Sequence, residues 1–86
     1  MSFSTNTINV QTASPSLLLS SNTSQKKRNI KNVGNETIYL GSDNSVTTSN
    51  GFPLDSDDEI NISDFNGTVY GIATTNITNV DVIEDE

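Results

Sequence analysis

Apolar residues along this chain recur with a period of two and never, over twelve residues or more, with the 3.6-residue period of an amphipathic helix. Ile8 and Val10 share a face near the start, and residues 16–20 form a short aliphatic run after Pro15. Residues 28–33 centre on Ile30, and residues 36–40 place Ile38 and Leu40 opposite Tyr39. Residues 59–63 pair Ile60 with Ile62. Residues 68–74 set Tyr70 and Ile72 against Val69, Gly71 and Ala73, and residues 78–84 put Val80 and Val82 either side of Asp81. Each run has the length of an ordinary strand. Gly, Asn, Asp and Pro separate them: Val33-Gly34-Asn35 and Asn66-Gly67 read as tight hairpin connections. Residues 41–44 and 49–53 bracket a short Val46-Thr47-Thr48 excursion, and residues 55–58 form an acidic turn.

The pattern predicts an all-β fold, a small antiparallel β-sandwich or barrel of the jelly-roll kind, with about six to seven short strands. Residues 1–13 are an N-terminal arm or first edge strand. Residues 14–86 form the domain proper, with a short acidic C-terminal tail.

Composition first raises the question of disorder, because Ser, Thr and Asn make up 35 of the 86 residues. Ile, Leu, Val and Phe answer it: they contribute 22 residues, above the roughly one-fifth below which chains fail to fold. Most of them are β-branched, and Thr suits the solvent side of a strand. A chain of this size has a thin core, since only about 63% of its unfolded surface can be hidden.

The same composition narrows the chemistry. The sequence contains no His and no Cys, so a Ser-His-Asp triad, a thiolate nucleophile, a disulfide framework and the usual zinc, haem and iron–sulfur ligand sets are missing. No enzymatic activity and no cofactor is expected. Four carboxylates crowd one turn, Asp55, Asp57, Asp58 and Glu59. A glycosidase pair needs two carboxyls across a cleft, one of them desolvated, and a solvated turn offers neither. An EF-hand loop starting at Asp55 would need Gly where Ile60 stands. The four remain a weak Ca²⁺ candidate beside the simpler reading of a solvated turn.

Charge is distributed unevenly. All four cations, Lys26, Lys27, Arg28 and Lys31, fall within six residues, and every carboxylate follows them in a chain of net charge −7. Two readings stay open: an exposed edge strand guarded by Lys and Arg against stray pairing, or a docking strip for an acidic partner surface. Nucleic acid is not expected as a partner, because the whole-chain charge repels it and no aromatic residue interleaves with the cations. Phe3, ahead of the strands, is either an arm anchor that orders on binding or part of a frayed end. No membrane association is expected: the start has no basic n-region and the longest aliphatic run is Leu17-Leu18-Leu19, so synthesis in the cytoplasm without a signal peptide is expected.

One order of motifs is more specific than composition. It runs Ile30-Lys31-Asn32-Val33-Gly34-Asn35-Glu36-Thr37-Ile38-Tyr39-Leu40-Gly41, then Val46-Thr47-Thr48-Ser49-Asn50-Gly51-Phe52-Pro53-Leu54, then Val69-Tyr70-Gly71-Ile72-Ala73. This order resembles a family of small virion proteins of tailed bacteriophages, over about 70 of the 86 residues. The Asn-Gly-aromatic-Pro-Leu block is its most distinctive piece: Gly51 at positive φ and Pro53 would turn the chain so that Phe52 and Leu54 pack back onto the sheet. The chain departs from the family at Arg28, where an apolar residue is usual, and at residues 55–59, where a Pro-Gly turn is usual.

The resemblance implies a structural virion component on the capsid exterior, most simply a capsid decoration (cement) protein. Its partners would be the major capsid protein and neighbouring copies of itself, a homotrimer being one such arrangement. A receptor- or glycan-binding module of a head fibre or tail is the alternative. A supply of two Tyr, three Phe and no Trp counts against it.

Overall fold

The computed structural model describes residues 3–20, 27–62 and 67–85, and side chains over 5–20, 27–62 and 67–83. The described residues form eight strands in two layers: β1 (Phe3–Val10), β2 (Ser16–Leu19), β3 (Arg28–Asn32), β4 (Ile38–Gly41), β5 (Phe52–Leu54), β6 (Glu59–Asn61), β7 (Val69–Ala73) and β8 (Thr78–Asp85). One antiparallel sheet has the order β1-β8-β3-β6 and the other β2-β7-β4-β5. Among the described residues there is no helix, so none is long and apolar enough to cross a membrane. The architecture is an all-β sandwich, with eight strands among the described residues where the periodicity predicts six or seven.

The extra strand is β5. Pro53 and the preceding Asn50-Gly51 read as a turn, yet Pro53 sits opposite Tyr39 on a sheet edge, where its missing N–H costs no ladder bond. Alternation then builds the core. Ile30, Val80 and Val82 from the first sheet meet Ile38, Leu40, Leu54, Val69 and Ala73 from the second, with Val10, Leu18 and Leu19 closing the same cluster. A bulge between Leu17 and Leu19 turns both Leu18 and Leu19 inward and leaves Leu17 exposed. The surface of 5014 Å² agrees with the roughly 4,900 Å² that size scaling gives for a folded chain of this mass.

Three local expectations are corrected. Val33-Gly34-Asn35 does not close a hairpin, because β3 and β4 lie in different sheets and this segment crosses between them. Gly34 is needed there for room: a Cβ would come within 2.4 Å of Thr78 Cγ2 and 3.0 Å of the Asn79 nitrogen. Gly51 does not take a positive φ; among the described residues only Asp57 does, at 68°. A Cβ on Gly51 would instead collide with Tyr39 Cβ at 2.6 Å and Val46 Cγ2 at 2.9 Å. The connection between β4 and β5 therefore lies flat on the outer side of its own sheet and buries Val46 there. Finally, β3 is no edge strand, since β8 and β6 flank it. The proposed Asn66-Gly67 hairpin falls partly outside the described residues.

Candidate docking site

The two outer faces differ in chemistry. On the first sheet, the register aligns Thr7, Asp81, Lys31 and Glu59 in one row and Thr5, Ile83, Asn29 and Asn61 in the next. Thr7 Oγ1 donates to Asp81 Oδ1 at 2.7 Å, and Asn29 Nδ2 donates to Glu59 Oε2 at 2.9 Å. Lys31 stands between Asp81 and Glu59, so opposite charges alternate across the strands. This face is mostly polar, with Ile83 exposed among its Thr and Asn residues, and it lines a shallow basin of about 490 Å³.

The second sheet exposes an apolar side chain at each of its edges, while Val33, Ile77 and Ile83 are exposed elsewhere. Phe52 is 57% exposed at the β5 edge, beside exposed Pro53, and Leu17 is 45% exposed on β2. Between the edge strands β5 and β6, a cleft of about 180 Å³ is lined by Leu40, Phe52, Ile60, Ile62 and Val69. The register opposite Leu40 aims Phe52 toward the core side, but β5 is the last strand and leaves the ring overhanging the opening. Leu54 packs inward as expected, and Phe52 does not. The sequence supplied the motif but not this outcome, because a ring at an edge lacks a neighbour that local pattern cannot reveal.

The four cations are separated by strand geometry. Arg28 points into the sandwich, fully buried, and its Nη2 donates to the Gly67 carbonyl at 2.8 Å. Lys31, three positions on, points out, because successive side chains alternate. Lys27 is exposed just ahead of β3, and Lys26 lies outside the described residues. A continuous strip of 26–28 and 31 therefore does not form: Arg28 serves the interior, leaving Lys27 and Lys31 as surface cations. Phe3 begins β1 opposite Asp85, and its side chain is outside the described set.

The acidic turn is tied down rather than gathered. Asp55 accepts from Thr37 Oγ1 at 2.9 Å, Ser56 Oγ donates to the Gly34 carbonyl at 2.6 Å, and the Asp57 and Asp58 nitrogens donate to the carbonyls of Asn32 and Asp55. Glu59 belongs to the polar face already described. The described residues contain no group of three or more acidic side chains placed to hold a metal ion.

At the centre of this strap is a residue that pattern reading passes over. Asn32 is fully buried. Its Nδ2 donates to the carbonyls of Glu36 at 2.7 Å and Leu54 at 2.9 Å, and its Oδ1 accepts from the Gly34 nitrogen at 3.0 Å. One amide thus joins β3, the crossing segment and β5 of the opposite sheet, and so fixes the strand that carries Phe52.

Glu36 holds the crossing segment to the β7–β8 connection. Its carboxylate accepts from Thr75 Oγ1 at 2.6 Å and Thr74 Oγ1 at 2.8 Å, which lowers its pKa. A lowered folded-state pKa contributes stability that is present above the ordinary carboxylate range and lost as pH falls through the lowered value. Denaturant midpoints followed into acid should therefore fall less steeply for Glu36→Gln than for the natural chain. Parallel acid limbs would contradict this. Asp43 is lowered in the same direction by Ser45, whose hydroxyl and nitrogen both donate to it.

Comparison with protein-family models, curated proteins and solved structures finds no match for this chain.

Proposed function

We propose that the chain is a capsid decoration protein of a tailed phage, docking on the major capsid lattice through the β5 edge. The observation that carries this reading is the exposed Phe52 ring over an apolar cleft, in the middle of the motif that resembles small virion proteins. A large apolar side chain seated at a pocket mouth is the kind of anchor that dominates an interface. The opposite face, polar and rich in Thr and Asn, suits the solvent side of a particle.

Strand order is consistent with this reading. The pairs β1–β8, β2–β7, β3–β6 and β4–β5 are those of one long hairpin rolled into two sheets, which we read as a jelly roll, an architecture used by viral capsid and lectin domains. Such an analogy does not by itself carry function; the exposed ring and the motif around it do. A thin-cored domain also gains stability from a partner that binds only the folded form, and repetition on a lattice adds avidity to a modest single contact.

The test compares occupancy on purified particles for Phe52→Ser and for Lys27→Glu/Lys31→Glu, all at exposed positions, with each variant first shown to be folded by circular dichroism. Phe52→Ser should lower occupancy about tenfold or more, the cost of losing one buried aromatic anchor. The double charge reversal should act mainly at low salt. Full occupancy of Phe52→Ser would refute docking through this edge.

A further inference from the structure

A sandwich of two four-stranded sheets has four edges, and three of them carry a recognisable guard against pairing. β2 is four residues long, follows Pro15 and is broken by a bulge. β5 is three residues long with Pro53 at its centre. β6 is three residues long and begins with Glu59. Shortness, proline, charge and bulges are the standard devices by which edges avoid other strands.

β1 has none of them. It runs eight residues, Phe-Ser-Thr-Asn-Thr-Ile-Asn-Val, without charge or proline. Its register with β8 is unbroken from Phe3↔Asp85 to Val10↔Thr78. Among the described residues no strand pairs with its other side, so alternate residues turn their N–H and C=O groups outward along the whole strand.

We propose that this edge pairs with the same edge of a second copy, antiparallel across a two-fold axis, so that the two β1-β8-β3-β6 sheets join into one of eight strands. Charge selects this occupant. Two chains of net charge −7 repel, yet β1 is neutral throughout, so copies can meet here without like charges directly opposed. Length selects it too: an isologous pairing needs one strand complementary to itself, and β1 supplies eight residues, five of them polar and uncharged. A register that keeps the outer faces continuous sets Thr5, Thr7 and Asn9 of one copy against the same three of the other. An axis through Thr7, for example, places Thr5 opposite Asn9 and Thr7 opposite its own counterpart. This contact is separate from the Phe52 edge, which lies at the far side of the other sheet, and it requires no particle.

Sedimentation of the purified chain over a range of concentrations tests it. The expected result is a reversible shift toward twice the 9.2 kDa chain mass as concentration rises. Thr5→Lys/Thr7→Lys puts lysines across the seam in the central registers while placing one beside Asp81 of its own chain, so the double variant should remain folded by circular dichroism and sediment as a monomer. A charge-matched control, Thr48→Lys/Ser49→Lys in the β4–β5 connection, should still pair. A natural chain that stays monomeric at every concentration, that closes into trimers, or whose pairing survives the β1 lysines overturns the proposal.

Discussion

Asn32→Ala is expected to destabilise the fold by about 3–5 kcal/mol, because it strips hydrogen-bond partners from three main-chain groups at once. Each buried group left unsatisfied costs about 1–3 kcal/mol, and water reaching the partly exposed Glu36 carbonyl offsets some of the sum. A chain of 86 residues has a total stability of roughly 4–13 kcal/mol, so the loss approaches the whole. Asn32→Asp separates hydrogen bonding from shape. It keeps the volume but turns a carboxylate oxygen toward the Glu36 and Leu54 carbonyls, and burial raises that carboxyl's pKa. The Asp variant should be at least as unstable as the Ala variant at neutral pH and recover part of the loss in acid, where the protonated group can donate again. Urea unfolding at two pH values decides it. A loss below 1 kcal/mol for Asn32→Ala would show that the amide is not what joins the sheets.

Ile30→Ala is expected to cost about 2–5 kcal/mol by a different route, the loss of apolar burial plus a cavity that a close-packed interior cannot fully collapse. Ile30 is fully buried in the middle of β3, opposite Val82 on one side and Ile60 on the other. Because Ile60 lines the cleft beneath Phe52, the truncation should also loosen that cleft. Ile30→Val, which removes one methyl, should cost about 0.5–1.5 kcal/mol. If chemical denaturation gives equal losses for the two variants, Ile30 is not at the centre of the core.

Much of the strand content is legible in local alternation. Ile38 and Leu40, Val69 and Ala73, and Val80 and Val82 all face the core as their spacing predicts. What alternation does not contain is which strand lies beside which. Arg28 to Asn32 looks like a charged edge, but β8 arrives from fifty residues further along to flank it, and its inward side carries Arg28 and Asn32 as well as Ile30. Glycine signals mislead for a related reason. Gly34 and Gly51 resemble turn residues, yet each is small because another segment passes close by. The reverse holds at Asp57, where a left-handed backbone conformation occurs without glycine inside a turn held by Asn32 and Asp55.

The proposed docking edge is only partly legible in the sequence. The Asn50-Gly51-Phe52-Pro53-Leu54 motif stands out in the chain, but the exposure of Phe52 does not follow from it, since the ring ends up on the last strand of its sheet. The cation cluster is the opposite case: conspicuous in the chain, it is divided between interior and surface by the two-residue period.

The central claim, adhesion to a larger shell, is tested most directly by counting copies of this chain in purified particles by quantitative mass spectrometry against the major capsid protein. The account predicts a copy number that scales with the lattice, in fixed ratio to the shell subunits. A few copies per particle, as at a single vertex or tail, or none at all, would contradict it.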